Sequence, residues 1–359
     1  MNKRKITNQK YENYWKLTLE YTDYTQKPFN DVLRIIVDFI DRFVGDNDMG
    51  ISSNTYKNMQ KTIEKLYPKS DSASTRKSIN QFFKLGFINN HGKSYHYLTK
   101  DFLRETDNEQ KKLLYSKIMY ENASFKRSYS TPANVNEIKF LINTLEECET
   151  IDKNELLALI YTDINDVEKG YLTKSELHKK YLELILDNAD ERKYNQCSYL
   201  YGLCKTLTDI YVKNNVISLK PIVGLDQGEK SKVRDPYLQR LYKIELVNEY
   251  KKIYKTQEGS CVLEGLAYPV LIASHIKPYK VSEENERFDS NNGLLLSKNM
   301  DSLFDLGYIT FDDSGEVVTS SKLNVKVAQY VKQFKLDSAI YTAKRKEYMD
   351  YHRKNVFQA

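Results

Sequence analysis

Two short apolar runs, separated by a polar loop, constrain the last third of this chain more than any other feature. Val270-Leu271-Ile272-Ala273 and Leu294-Leu295-Leu296 are too short for ordinary helices and read as buried strands. The first runs on into Ser274-His275-Ile276-Lys277-Pro278, and the second is opened by Asn291-Asn292-Gly293. Between them, Glu283-Glu284-Asn285-Glu286-Arg287 is polar and loop-like. Ser297 is placed to cap a helix through Met300, Leu303 and Phe304. Tyr308-Ile309-Thr310-Phe311 and Glu316-Val317-Val318-Thr319 then flank Asp312-Asp313-Ser314-Gly315, a hairpin signal with glycine in the turn. The expected order is strand, loop, strand, helix, hairpin.

The residues at the joints of this unit have a shared chemical sense. Hydrolysis of a phosphodiester needs a base to activate water and a cation to hold the phosphate and the leaving oxygen. Histidine suits the base because its ordinary pKa lies near neutrality, and carboxylates suit a hard divalent ion such as magnesium. An imidazole also has to be kept in one tautomer and orientation, which a neighbouring amide can do. His275, Asn292 and Asp301 offer one residue for each task. Asp301 and Asp305 are four apart and share a helical face, so both could turn toward one cation. Taken singly, His275 is an ordinary strand-end histidine, Asn292-Gly293 a turn, and Asp301 a first-turn carboxylate favoured by the helix dipole. Their joint order and spacing favour the catalytic reading.

Residues 261–320 resemble the HNH nuclease domain, the ββα-metal fold, and especially the branch found among bacterial HNH restriction endonucleases. Cys261-Val262-Leu263-Glu264-Gly265 resembles that branch's opening turn, Ala273-Ser274-His275-Ile276-Lys277-Pro278 its first strand and Asn292-Gly293-Leu294-Leu295-Leu296 its second. The ending Tyr348-Met349-Asp350-Tyr351-His352-Arg353-Lys354-Asn355-Val356-Phe357 resembles its tail. The resemblance implies that His275 is the general base, that Asn292 orients the base or its loop, and that Asp301 is the helix metal ligand with Asp305 as a further one. It implies Mg2+ or Mn2+ as cofactor, double-stranded DNA as substrate, and Lys277 beside the phosphate backbone. Two positions depart from the family pattern. Ser274 stands where an acidic or histidine ligand is common, and Asp301 where the last His or Asn is usual.

The remaining two thirds read as mainly helical. Phe29, Val32, Leu33, Ile36 and Ile40 mark an amphipathic helix within 28–50, residues 55–66 a second, and 72–85 a third that Ser72-Ala73-Ser74-Thr75 can cap and Gly86 ends. Phe87-Ile88, a turn at 89–93 and 94–99 then suggest a two-stranded hairpin. That order makes 28–103 a candidate winged helix-turn-helix, with Arg76, Lys77, Asn80 and Gln81 expected to face a DNA major groove. Such a fold also serves as a plain packing module. Residues 138–145, 155–160, 174–186 and 198–212 give four more helices, and 216–221 a closing strand. Residues 224–236 look like a linker, 237–256 a helix leading into the C-terminal unit, and 325–334 and 338–352 terminal helices.

Composition agrees without adding specificity. Among 359 residues, Lys+Arg 55 against Asp+Glu 49 gives a net charge of +6, mildly suited to a polyanion. The 4 cysteines (Cys148, Cys197, Cys204, Cys261) form no CxxC pair, so a structural zinc has no support, and a reducing cytoplasm is the expected setting. Met1-Asn2-Lys3-Arg4-Lys5 is followed by no apolar run, and no membrane association is expected.

The sequence thus predicts an α+β chain in three parts: 1–134, a DNA-recognition part with the winged-helix candidate; 135–223, a helical recognition or scaffold domain; and 224–359, the nuclease domain with its terminal helices. The expected function is a sequence-specific DNA endonuclease of the type II restriction kind, working as a homodimer so that one site per chain cuts both strands. A restriction role also calls for a companion DNA methyltransferase. A modified-base-dependent or mobile-element nuclease, and a winged-helix regulator carrying an inactive HNH remnant, remain alternatives.

Overall fold

The apolar spacing at 29–40 becomes α1 (Lys27–Phe43) in the computed structural model, which describes residue 15 and residues 23–44, 49–69, 71–186, 194–219 and 234–359. The expected linker at 224–236, except for its last three positions, and the N-terminal segment 1–5 lie outside the described residues. The chain divides into two compact units, Met1–Lys220 and Pro221–Ala359.

In the first unit α1 buries Phe29, Val32, Leu33, Ile36, Val37 and Ile40 along one stripe. It packs on α2 (Ser53–Leu66) and α3 (Ser72–Lys84). The cap of α3 is Asp71, whose side chain accepts from the Ser74 N–H, one residue earlier than expected. Gly86 ends this stretch at φ +85, and a Cβ there would sit 2.6 Å from the Asn122 carbonyl carbon. The expected hairpin is reduced to a single bridge, Ile88 with Tyr95, closed by Asn89 N–H to Ser94 O and His96 N–H to Phe87 O. Instead of a second wing strand the chain enters α4 (Thr99–Arg104) and then α5 (Asn108–Asn122). Every residue of α5 from Leu113 to Tyr120 is buried, and Tyr115 joins Phe29, Phe82, Phe87 and Phe102 in an aromatic core.

Next come α6 (Glu137–Cys148), β1 (Thr150–Ile151), α7 (Lys153–Ile160), α8 (Lys174–Leu186) and α9 (Tyr194–Lys205). The helix expected at 198–212 stops early. Asp209 takes φ 66, and β2 (Ile210–Lys213) turns back through Asn214 and Asn215, both at positive φ, into β3 (Val216–Leu219). Two consecutive left-handed asparagines are the turn chemistry of a tight hairpin. The three strands pair in the order β1-β3-β2.

In the second unit the expected order holds. After α10 (Pro236–Tyr254), capped by Asp235, β4 (Leu271–His275) pairs antiparallel with β5 (Gly293–Ser297). The register sets Leu271 opposite Ser297 and His275 opposite Gly293. Ser297 accepts from the Met300 N–H and caps α11 (Lys298–Asp305), and β6 (Ile309–Phe311) pairs with β7 (Val317–Thr319). The chain closes with α12 (Val325–Val331) and α13 (Ala343–Asn355), which begins five residues later than expected behind its cap Thr342.

The core of this unit gathers Tyr242 and Leu246 of α10, Leu294, Leu295 and Leu296 of β5, Met300 and Phe304 of α11, and Met349 of α13. Arg345, only 1% exposed, ties the parts together. It pairs with Glu249 on α10 at 2.6 Å and donates to the backbone oxygens of Ser290, Gly293 and Ile340. A buried guanidinium is tolerable only with such complete pairing. The four cysteines are buried free thiols.

Candidate active site

His275 is the last residue of β4 and Asn292 the residue just before β5, so the strand pairing alone holds the two at one end of the sheet. Gly293 is required at this point, because a Cβ there would collide with the Tyr242 side chain. The Tyr242 hydroxyl instead reaches the Asn292 carbonyl oxygen at 2.9 Å.

Asn292 is fully buried and works as a staple. Its Oδ1 accepts from the Lys277 N–H at 2.7 Å, and its Nδ2 donates to Lys277 O, Ser282 Oγ and Glu286 O. Both hydrogen-bonding ends of the amide are therefore used to shape the loop that follows β4. That loop places the Arg287 carbonyl 2.8 Å from His275 Nε2. A carbonyl oxygen only accepts, so Nε2 carries the proton and Nδ1 is left with its lone pair. The ring stacks on Tyr242 with centroids 4.8 Å apart and meets Tyr279 edge-on at 5.7 Å. Burial pushes the imidazole down to about 4, with the Arg234 charge acting the same way and the Arg287 carbonyl opposing. His275 is therefore neutral at pH 7, the form a base requires.

Successive side chains of a strand point to opposite faces, so Ser274 turns away from His275 and toward α11. There its hydroxyl lies beside Asp301 and favours the ionised carboxylate, yet Oγ makes no hydrogen bond of ordinary geometry. Burial raises the Asp301 carboxyl, Asp305 raises it further by like charge, and Ser274 and Arg234 oppose. Asp305 is exposed one turn further along α11. The structure thus joins His275 to Asn292 through the loop, and Asp301 to Ser274 and Asp305 through α11. Arg234 links the halves, since its charge acts on both His275 and Asp301.

Among the described residues no cluster of three or more His, Cys, Asp or Glu side chains gathers into a metal cage. The donors at this point are two carboxylates and an orphaned buried hydroxyl, all hard oxygens. They fit an ion of the magnesium class, which keeps most of its waters, better than zinc. Asp301 and Asp305 are the residues that would hold it.

Lys277 is engaged within its own loop, its Nζ 2.5 Å from Glu286 Oε2 and over the Tyr351 ring. In the first unit Arg76 and Lys77 are exposed on α3. Asn80 is half-buried and its Oδ1 accepts from the Tyr129 N–H. Gln81 is corrected: it is fully buried on the inward face of α3 beside Phe82 and does not reach a groove. Sequence reasoning missed Tyr242 and Arg234, which come from the helix and its approach upstream of the motif. It also missed Arg287, because the atom that acts is a backbone oxygen, which leaves no trace in residue type.

Residues 261–312 match the family model described as HNH endonuclease. The matched segment takes in β4, β5, α11 and β6, and so contains His275, Asn292, Asp301 and Asp305. No curated protein matches the chain. Among the described residues no helix is long and apolar enough to cross a membrane.

Proposed function

With an HNH endonuclease domain at residues 261–312 as the premise, we propose that the chain is a sequence-specific DNA endonuclease of the restriction type. In this reading His275 Nδ1 takes the proton of a water whose oxygen attacks the scissile phosphorus, as the bond from phosphorus to the bridging oxygen breaks. The Arg287 carbonyl keeps the proton on Nε2, and Asn292 keeps that carbonyl in place through the loop. Asp301 and Asp305 hold a divalent cation, which when bound neutralises charge on the phosphate and the leaving oxygen. Arg234 adds positive charge from the side of α10. The first unit supplies recognition through its α1–α3 module, with Arg76 and Lys77 on the exposed face of α3 and Asn80 at its edge. Two chains act together, one per strand, because each carries one site. A companion DNA methyltransferase protects the host sequence.

The observation that carries this reading is the oriented His275, neutral and donating Nε2–H to the Arg287 oxygen at 2.8 Å, at the end of a strand whose next-door helix bears Asp301. The test is incubation of the full chain with plasmid DNA and Mg2+, a parallel reaction in chelator, and sequencing of the product ends. Metal-dependent cleavage with ends at a fixed sequence is the expected result. Cleavage in chelator would overturn the metal assignment, and ends scattered over all sequences would overturn the restriction role.

A further inference from the structure

A second site lies in the first unit, away from the catalytic motif. A cavity of about 330 Å3 opens between α3 and the segment that follows α5. It is lined by Lys77, Asn80, Lys84, Lys126, Arg127 and Ser128. Its size is at the lower end for small-molecule sites, roughly 300–1,000 Å3. Lys77, Asn80 and Lys84 are spaced three and four apart and so share one face of α3. No carboxylate lines the cavity.

Arg127 gives the cavity its character. It is 3% exposed, a burial that a charged side chain rarely accepts without an anion. Three of its donors are committed to oxygens of the protein: Nε to Ala133 O at 2.8 Å, and Nη1 to Asn122 O and Asn122 Oδ1. These bonds fix the plane of the guanidinium and leave the two Nη2 donors without a protein partner among the described residues. No carboxylate stands within ion-pair distance of Lys77, Lys126 or Arg127 among the described residues. Beneath them Glu137 accepts from the Phe125 N–H at 2.9 Å, and burial raises its carboxyl to about 7, so it offsets their charge only in part. Asn80 is oriented as well. Its Oδ1 accepts from the Tyr129 N–H, which leaves its amide N–H groups to donate.

We propose that this cavity is a binding site for a phosphate oxyanion, received by the fixed Nη2 edge of Arg127, the ammonium groups of Lys77 and Lys126, and the Asn80 amide. The two Nη2 N–H groups diverge within a guanidinium plane that the other bonds fix, so each can give a charge-assisted hydrogen bond to an oxyanion in a set direction, which a flexible lysine ammonium does not. The phosphate has two sources of the same chemistry: the backbone of duplex DNA, or a free nucleotide. The backbone source rests on the nuclease reading above; the free-nucleotide source does not. In either case the face of α3 that carries Lys77 and Asn80 holds phosphate, and base reading by α3 falls to Arg76, which is exposed and lies outside the cavity lining.

The experiment uses the full chain in chelator, so that binding is measured without cleavage. Labelled duplexes of several sequences are titrated across a range of salt, and AMP and pyrophosphate are titrated calorimetrically. The variants are the double substitution Lys77→Gln with Lys126→Gln, on exposed side chains, and Arg127→Lys, which keeps the charge and loses the fixed planar Nη2 donors. For the DNA source the double variant should weaken every duplex alike, on the order of ten-fold or more, and lower the salt slope by about 2, close to one unit per lost phosphate contact. For the nucleotide source, duplex binding is unchanged while pyrophosphate or AMP binds the wild type and not the variants. Unchanged duplex affinity and salt slope, with no pyrophosphate or AMP binding by the wild type, would overturn the proposal. Because no cleavage enters the readout, that outcome leaves the nuclease reading standing, and a chain that binds here but never cuts leaves the phosphate site standing.

Discussion

Replacing Asn292 should do more damage than replacing a residue that touches the reacting atoms only indirectly would suggest. In a fully buried position its Oδ1 accepts from Lys277 N–H, and the two N–H groups of Nδ2 are shared among Lys277 O, Ser282 Oγ and Glu286 O. With about 1 kcal/mol for each of the two lost N–H donors and a further 1–3 kcal/mol for the stranded Lys277 N–H, Asn292→Ala costs roughly 3–5 kcal/mol. The cost falls on the loop 277–287, whose far end carries the carbonyl that orients His275. Asn292→Asp keeps the bond from Lys277 and loses both N–H donors, so it should open the same loop while adding a buried charge. Hydrogen exchange followed by mass spectrometry reads the loop directly, and single-turnover cleavage reads its consequence. Protection at 277–287 should collapse in both variants, and cleavage should fall by about 100-fold or more through misplacement of the base. An Asn292→Ala protein with a protected loop and a cleavage rate within a few-fold of wild type would refute the argument.

Acid should weaken the C-terminal unit through two buried imidazoles. Burial holds both His275 and His352 down to about 4, against 6.5 in the unfolded chain. The unfolded chain therefore takes up protons first. The stability these groups contribute is complete above about pH 6.5 and is lost as pH falls toward 4, roughly 3 kcal/mol for each. Denaturant titration from pH 7.5 to 4.5 should show this slope, reduced in His352→Gln; equal slopes in wild type and variant would contradict it. At the carboxylates, Asp301→Ala should abolish cleavage at every Mg2+ or Mn2+ concentration, whereas Asp305→Ala, at an exposed position, should shift the metal requirement upward with activity recoverable. Full activity of Asp301→Ala at low Mg2+ would remove the metal-holding role.

The parts of the fold that could be read from sequence are those whose physics is local. The runs at β4 and β5 are short and apolar, Ser297 caps α11 by its own side chain, and Gly315 marks the β6–β7 turn. The same locality made His275, Asn292 and Asp301 visible as a set. Other features depend on packing that no window reveals. Helix α5 is buried nearly all round, so it shows no apolar stripe to detect. The apolar residues of 198–212 suit one helix, but Asn214 and Asn215 accept the left-handed turn that makes Ile210–Lys213 a strand. Gln81 lies one position from Asn80 on α3, and only the neighbouring elements decide that it faces inward. Arg345 sits in a run of Lys and Arg that reads as a solvated helix, and its place in the core depends on Glu249, 96 residues away. The wing failed for a related reason. Leu98 and Thr99 turn into α4 so that Phe102 can join the aromatic core, and only the bridge from Ile88 to Tyr95 remains.

The central claim is that His275 is the base of a nuclease site, and single-turnover cleavage by His275→Ala tests it most directly. The substrate is a duplex bound to saturation, with Mg2+ present, and affinity is measured separately in chelator. Loss of the base should slow cleavage by about two to four orders of magnitude, while duplex affinity stays within a few-fold of wild type, since the ring is 6% exposed and faces Tyr242 and Tyr279. A His275→Ala protein that cuts at the wild-type rate would contradict the account.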